Sequence, residues 1–337
     1  MTTDIIRQRH NQYHTSEHVI FDLVRRATGQ QASAREKIVR GYDSEVYLVH
    51  MRQSSNVVVR IRHHGGAHFA DEAWAIGQCR EVGVPAPEVL LVDTITIDEH
   101  PREVIVQRRV PGRALSEIER DLTPDQRAAA WRQAGAALGA IHSIRVGGFY
   151  KRHADGSWDF PNWRSISKQS VIDRAAEKPL LMQAGFRADQ VDLLIQMLEA
   201  GQALVADEQP VLCHGDFLPG HLFFDQQLSL SGVIDFGEFQ GGGPITDFAN
   251  LSMSCPDVDL AWLQSGYGNP SLFGPAFPAQ LRVAKLGMQL GYLAHFIQQG
   301  NQQEAAPIIA GLRDSLRETG ASSQESERGK DILAPDS

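Results

Sequence analysis

The stretch VLCHGDFLPGHLFFDQQLSLSGVIDFGEF holds the densest run of side chains able to do chemistry. His214-Gly215-Asp216 closes an apolar run, His221 follows Asp216 by five positions, and Asp235-Phe236-Gly237 ends the next strand-like segment. This spacing suits moving a phosphoryl group onto a hydroxyl. The acceptor hydroxyl needs a carboxylate beside it, here Asp216, to orient it and take its proton. A second group on the same loop, His221, must reach a metal ion that bridges nucleotide phosphates. The next strand brings a second carboxylate, Asp235, to that metal. Upstream, such a site needs a cation on a strand, a helix carboxylate to hold it and a turn over the phosphates. Arg60 in VVVRIR, Glu72 in FADEAWAI and Ser44 in RGYDSEVYLV stand in that order. The ordered set is more specific than any one member.

The elements that must position these residues can be read from periodicity. Residues 1–29 are expected to be helical, with Ile20, Leu23, Val24 and Ala27 at helical spacing. IVRGYDSEVYLVHM and NVVVRIR read as three strands, with a polar turn at Gly41–Ser44. A helix over Phe69–Glu81 is stopped by GVPAP, and two more strands, VLLVDTITI and REVIVQRRV, flank a turn at Asp98–Pro101. Residues 30–110 thus form a small β-rich lobe. Beyond Pro111-Gly112 the texture becomes helical, over about 111–318. Thr123-Pro124-Asp125-Gln126 is a strong helix start, and further helices are expected near 165–175, 188–206 and 278–298. HLFFD and LSGVIDF read as a short strand pair. Residues 319–337 lack periodicity and are expected to be a disordered tail.

Composition narrows the classes. The 337 residues are 42% hydrophobic and 22% charged, enough apolar material for a sizeable core. A net charge of −9 argues against nucleic acid as a main partner, because such binding rests on many Lys and Arg neutralising phosphates. Three scattered cysteines make neither a disulfide framework nor a zinc site. The N-terminus lacks the apolar core of a signal peptide and no run is long enough to span a membrane, so a cytoplasmic protein with no membrane partner is expected. Blander readings also have a place. His214 is expected to hydrogen-bond nearby backbone, Cys213 to pack as a small hydrophobe, and His63, His64 and His68 to lie on a solvated loop. Two other readings of the cluster stay open at this point: a nucleotide-binding module without turnover, and a metal-dependent hydrolase built on His214, Asp216, His221 and Asp225.

The spacing from Asp216 to His221 equals that from Asp to Asn in the protein-kinase catalytic loop H-R-D-x-x-x-x-N, which is likewise followed by D-F-G. With GYDSEVYLV, VVVRIR, GVPAPEVL, VIVQRRVPGRAL, LGAIHSI, HGDFLPGHLFFD, GVIDFG and GPITDFANL, the chain resembles the aminoglycoside phosphotransferase and choline-kinase-like small-molecule kinases from about residue 38 to 253. The resemblance implies an α+β, two-lobed protein-kinase-like fold, with a small antiparallel sheet lobe before a larger, mainly helical one. It implies ATP or GTP and Mg2+ as cofactors and a small-molecule hydroxyl as acceptor, such as an aminoglycoside, a macrolide or another metabolite. Asp216 then corresponds to the catalytic base, and Asp235 with His221 to the metal ligands. Arg60 and Ser44 stand at the nucleotide phosphates, and Glu72 positions Arg60. Gln107–Pro111 corresponds to the hinge whose backbone holds the base, and Asp247 to an aspartate supporting the active-site loops. Three departures stand out. His221 replaces the common Asn, as in macrolide kinases. The phosphate-covering turn has the single Gly41. Gly242-Gly243 replaces a frequent Gly-Asp.

Overall fold

A computed structural model of the chain describes residues 13–39, 44–63, 68–206 and 209–331. Helix α1 (Glu17–Thr28) precedes the strands Ala32–Ile38 (β1), Ser44–Met51 (β2) and Val57–Arg62 (β3); helix α2 (Phe69–Glu81) follows, then the hairpin Val89–Ile97 (β4) and His100–Arg108 (β5). The five strands form one antiparallel sheet in the order β1-β2-β3-β5-β4. Alternation along β2 and β3 decides which side chains face which way. Tyr47, Val49, Val57, Val59 and Ile61 are buried against Ile20, Leu23 and Val24 of α1. Val58, Arg60 and Arg62 therefore point from the opposite face, toward α2. The guanidinium carbons of Arg60 and Arg62 lie 5.2 and 4.6 Å from the ring centre of Phe69, the first residue of that helix.

The smaller lobe buries a charge at Glu45. Glu45, 1% exposed, accepts hydrogen bonds from Thr15 Oγ1 (2.6 Å), Lys37 Nζ (2.8 Å) and Tyr47 Oη (2.8 Å), and pairs with His63 Nε2 at 3.0 Å. Burial alone would raise its carboxyl, but bonds from Lys37, Thr15, His63 and Tyr47 outweigh it and bring the pKa down to about 2. A depressed carboxylate contributes stability above its ordinary value of 4.5, and this is lost as pH falls toward about 2. Glu45→Gln, which removes the buried charge that Lys37, Thr15 and Tyr47 bond, is expected to cost about 3–5 kcal/mol at neutral pH. Urea titration should show that deficit, and the gap from wild type should close as pH falls.

The larger lobe is built from β6 (Arg113–Ala114), α3 (Leu115–Ile118), α4 (Pro124–Ile141), β7 (Phe149–Arg152), β8 (Trp158–Phe160), α5 (Trp163–Ala176), α6 (Lys178–Gln183), α7 (Ala188–Gly201), β9 (Val211–Cys213), β10 (Leu222–Phe224), β11 (Leu230–Val233), β12 (Gln240–Gly242), α8 (Ile245–Ser254), α9 (Leu260–Gln264), α10 (Phe277–Gln298) and α11 (Gln302–Asp331). Helix α4 opens with a capping box, Thr123 and Gln126 each accepting the other's backbone N–H, as the sequence predicts. The core of this lobe gathers Trp131, Phe217, Phe224, Phe236, Phe239 and Phe248. It also takes in Ala75, Ile76 and Cys79 of α2, although α2 lies between two strands of the smaller sheet in the chain.

The α+β, two-lobed architecture is the one expected, but details differ. Within the described residues the first helix starts only at Glu17, where Ser16 caps it. Residues 1–12, the turn residues Gly41–Asp43 and His64 lie outside the described residues. The backbone of α11 runs helical to Asp331. Strands β7, β8, β9 and β12 form a four-stranded sheet that the sequence does not announce. No described helix is long and apolar enough to cross a membrane.

Candidate active site

Two short pairings bring the dense cluster together. Leu222 of β10 is paired with Val233 of β11, and Ile234 N–H donates to the His221 carbonyl at 3.0 Å, so the residues just outside the hairpin, His221 and Asp235, meet. On the other side of the loop β9 ends at Cys213, and Gly215 turns the chain with φ +81°; a Cβ there would stand 2.0 Å from the Glu238 carbonyl oxygen. Glycine is required at this position by conformation and by space. Asp235 also has positive φ, +66°, a strained conformation for a residue with a side chain.

The loop is tied from below by Asp247, near the start of α8. Its Oδ2 accepts from the His214 N–H (2.8 Å) and from His142 Nε2 (2.9 Å), and its Oδ1 from the Gly215 N–H (2.7 Å). Burial opposes the charge, but the bond and charge of His142, the His214 ring and the Gly215 amide hold its carboxyl below the usual range. His214 acts inside this frame: Nδ1 accepts from the Asp216 N–H at 3.2 Å and Nε2–H donates to the Ile234 carbonyl at 3.1 Å. Burial brings its pKa down to about 4, so the ring is neutral at pH 7. His214 is structural, as the sequence reading expects.

Asp216 stands at the open end. Burial raises its carboxyl above the ordinary aspartate value, with Asp235 and Glu238 adding to the rise and His221 opposing it. His221 Nδ1 lies 2.8 Å from the Asp216 backbone oxygen. In the neutral ring that bond takes the Nδ1 proton and leaves a lone pair on Nε2, 3.6 Å from Asp235 Oδ2. Asp235, 44% exposed at its side chain, turns its other oxygen to Arg60 Nη2 at 3.5 Å. Burial would raise Asp235 too, but the charge of Arg60 opposes it, and the carboxyl lies below the usual range. Arg60 Nη1 in turn donates to Glu72 Oε1. Glu72 is buried, which pushes its carboxyl up, and its Oε2 has no hydrogen-bond partner among the described residues.

The structure therefore brings Asp216, His221, Asp235, Arg60 and Glu72 into one cluster of contacts, although Arg60 and Asp235 are 175 residues apart. Ser44 opens β2 opposite Arg62, next to a turn that lies outside the described residues. Gln107–Pro111 runs from the end of β5 toward β6, joining the lobes. Other neighbours escape the sequence reading. Asn250 Nδ2 donates to the Gly215 carbonyl, and His142, visible in the sequence only as a histidine after the apolar last turns of α4, anchors Asp247. Tyr150 and Tyr292, both more than a third exposed, feel the charge of Glu238, and Tyr292 also that of Asp216. Of the carboxylates that follow Asp235 in the chain, Glu238 pairs with Lys151 at 2.9 Å, and Asp259 caps α9.

A search of curated proteins found no match by sequence. Solved structures do match in fold. A thermostable mutant of aminoglycoside phosphotransferase APH(4)-Ia, in ternary complex with AMP-PNP and hygromycin B, superposes with a TM-score of 0.67 at 19% identity, over 88% of this chain and 98% of that one. APH(2")-IIia with GDP and kanamycin gives 0.60 at 16%, over 90% and 99%. Macrolide 2'-phosphotransferase MphH from Brachybacterium faecium gives 0.52 at 18%, over 86% and 97%. At these identities the likeness carries the fold. Sequence carries the rest: the model of a family described as the phosphotransferase enzyme family matches residues 35–279, a span that begins in β1, includes all five clustered side chains and ends inside α10. With well over half of its length matched in this way, the chain belongs to the phosphotransferase enzyme family.

Proposed function

We propose that the protein moves the γ-phosphoryl group of ATP or GTP onto a hydroxyl of a small molecule, most plainly an aminoglycoside-type antibiotic or a related amino-bearing metabolite. The observation that supports this best is the convergence of Arg60, Glu72, Asp235, His221 and Asp216 in one cluster of contacts, in the order such a transfer needs. Arg60, braced by Glu72, holds the triphosphate. Asp216 orients the acceptor hydroxyl and takes its proton. The donor set fits a divalent cation: a carboxylate oxygen of Asp235 and the free Nε2 of His221 stand 3.6 Å apart, and a cation of this kind completes its shell with water and phosphate oxygens. Magnesium, when bound there, supplies charge neutralisation at the phosphates. Most of the rate comes from positioning and charge rather than from covalent chemistry.

The acceptor side favours a cation. Tyr150 is surrounded by the charges of Glu238, Asp159 and Asp173 against Arg174. Hygromycin B and kanamycin, bound by two proteins of this fold, set the precedent. A macrolide acceptor is the second reading, favoured by His221 at the metal position. The test is magnesium-dependent consumption of ATP and GTP across aminoglycosides, macrolides, choline and amino-alcohols. Turnover stimulated by one acceptor class is the expected result. Nucleotide bound but never consumed points to a silent binding module. Phosphoester hydrolysis without nucleotide, with a transition metal retained through purification, points to a hydrolase.

A further inference from the structure

We propose that Arg152 is a positioning residue for Arg60, acting from the larger lobe through helix α2. The inference rests on the phosphoryl-transfer reading above. Arg152 ends β7, the strand that also carries Tyr150 and Lys151 on the acceptor side. Its guanidinium holds α2 at two points: Nη1 donates to Asp71 Oδ1, and Cζ lies 4.6 Å from the ring centre of Trp74. Asp71 and Trp74 are three residues apart and share one face of the helix. Glu72 follows Asp71 and is turned from it by about 100° around the axis. One arginine thus fixes the rotation of α2, and that rotation sets where the Glu72 carboxylate meets Arg60.

The surroundings make this grip stiff. The Asp71 side chain is 2% exposed and that of Arg152 18%, so the pair is shielded from water. Trp74 packs against Trp158 of β8 (ring centres 6.1 Å apart) and against Phe239 (6.0 Å), which directly follows the one-turn helix Phe236–Glu238 next to Asp235. The sheet meets the first turn of α2, where Glu103 of β5 accepts the Phe69 N–H at 3.0 Å and Arg60 of β3 bonds Glu72. The flank belongs to the larger lobe. The strand that lines the acceptor side therefore also sets the cation on the nucleotide side, and ordering of one site favours the other reciprocally.

The experiment is calorimetric binding of non-hydrolysable ATP and GTP analogues, with magnesium, to the full chain. Wild type is compared with Arg152→Met, Asp71→Asn and the double variant. Arg152→Met keeps an aliphatic stem beside Trp74 and removes the charge; Asp71→Asn keeps the shape, and carries the test by itself if Arg152→Met does not fold. Each single change is expected to weaken analogue binding about tenfold, a typical coupling between sites. The double variant is expected to match the singles rather than multiply them, because one interaction has been removed twice. Melting temperatures measured on the same samples separate positioning from bulk stability. A lower Tm with wild-type Kd in the folded variants overturns the proposal and leaves the phosphoryl-transfer reading standing. A wild type that binds neither analogue overturns both.

Discussion

Asp216→Ala is expected to lower acceptor-dependent turnover by about a thousandfold, the scale of a lost general base, while nucleotide binding stays near that of wild type. The asymmetry follows from the geometry. Arg60, Glu72 and Asp235 form one chain of contacts on the nucleotide side, and the substitution touches none of them. The backbone at residue 216 is held independently of the side chain, by its N–H to His214 and its carbonyl to His221. The loop should keep its shape, and the loss should fall on kcat rather than on nucleotide Kd. Steady-state kinetics beside analogue binding make the comparison. Normal turnover in the variant would remove Asp216 as the base; loss of nucleotide binding would place it on the wrong substrate.

The second large effect is on folding. Asp247→Ala is expected to destabilise the protein by about 3–5 kcal/mol, the range for leaving the partners of a buried charge unpaired. Two backbone N–H groups, of His214 and Gly215, and one imidazole nitrogen of His142 converge on this carboxylate, and water cannot replace it at a position 1% exposed. Against a total stability of about 5–15 kcal/mol, that is a large share. Asp247→Asn should fall between, since one oxygen is kept while the amide NH2 confronts a donor. Equilibrium denaturation in urea gives the values; a midpoint equal to wild type for Asp247→Ala would show that the frame under the loop is held elsewhere.

Much of the cluster could be read before any coordinates, for physical reasons that differ by residue. Arg60 was placed by alternation in VVVRIR, and α2 by its start at Phe69 and its stop before GVPAP, both local properties of the chain. The loop from His214 to His221 was readable because its chemistry requires a fixed spacing. By contrast, β7, β8, β9 and β12 have three or four residues each, too few to display a period of two. Their register comes from cross-strand partners such as Gln240 and Cys213. Arg152 and Asp71, 81 positions apart, look like ordinary surface charges until folding makes them neighbours. The carboxylates of Glu238 and Asp259 show their charge in the sequence, but not the lysine or the helix end that engages it.

The membership of α2 in the larger core has a consequence for how such a molecule can change over generations. Ala75, Ile76 and Cys79 belong to a core made mostly by residues of the larger lobe, while Phe69 and Glu72 of the same helix meet the smaller sheet. A recombination joining this sheet lobe to a foreign helical lobe would carry across a helix shaped for a surface left behind, and its glutamate would no longer meet the arginine on β3. The two lobes must therefore be inherited together. Room for divergence lies away from their seam, at positions that do not touch α2.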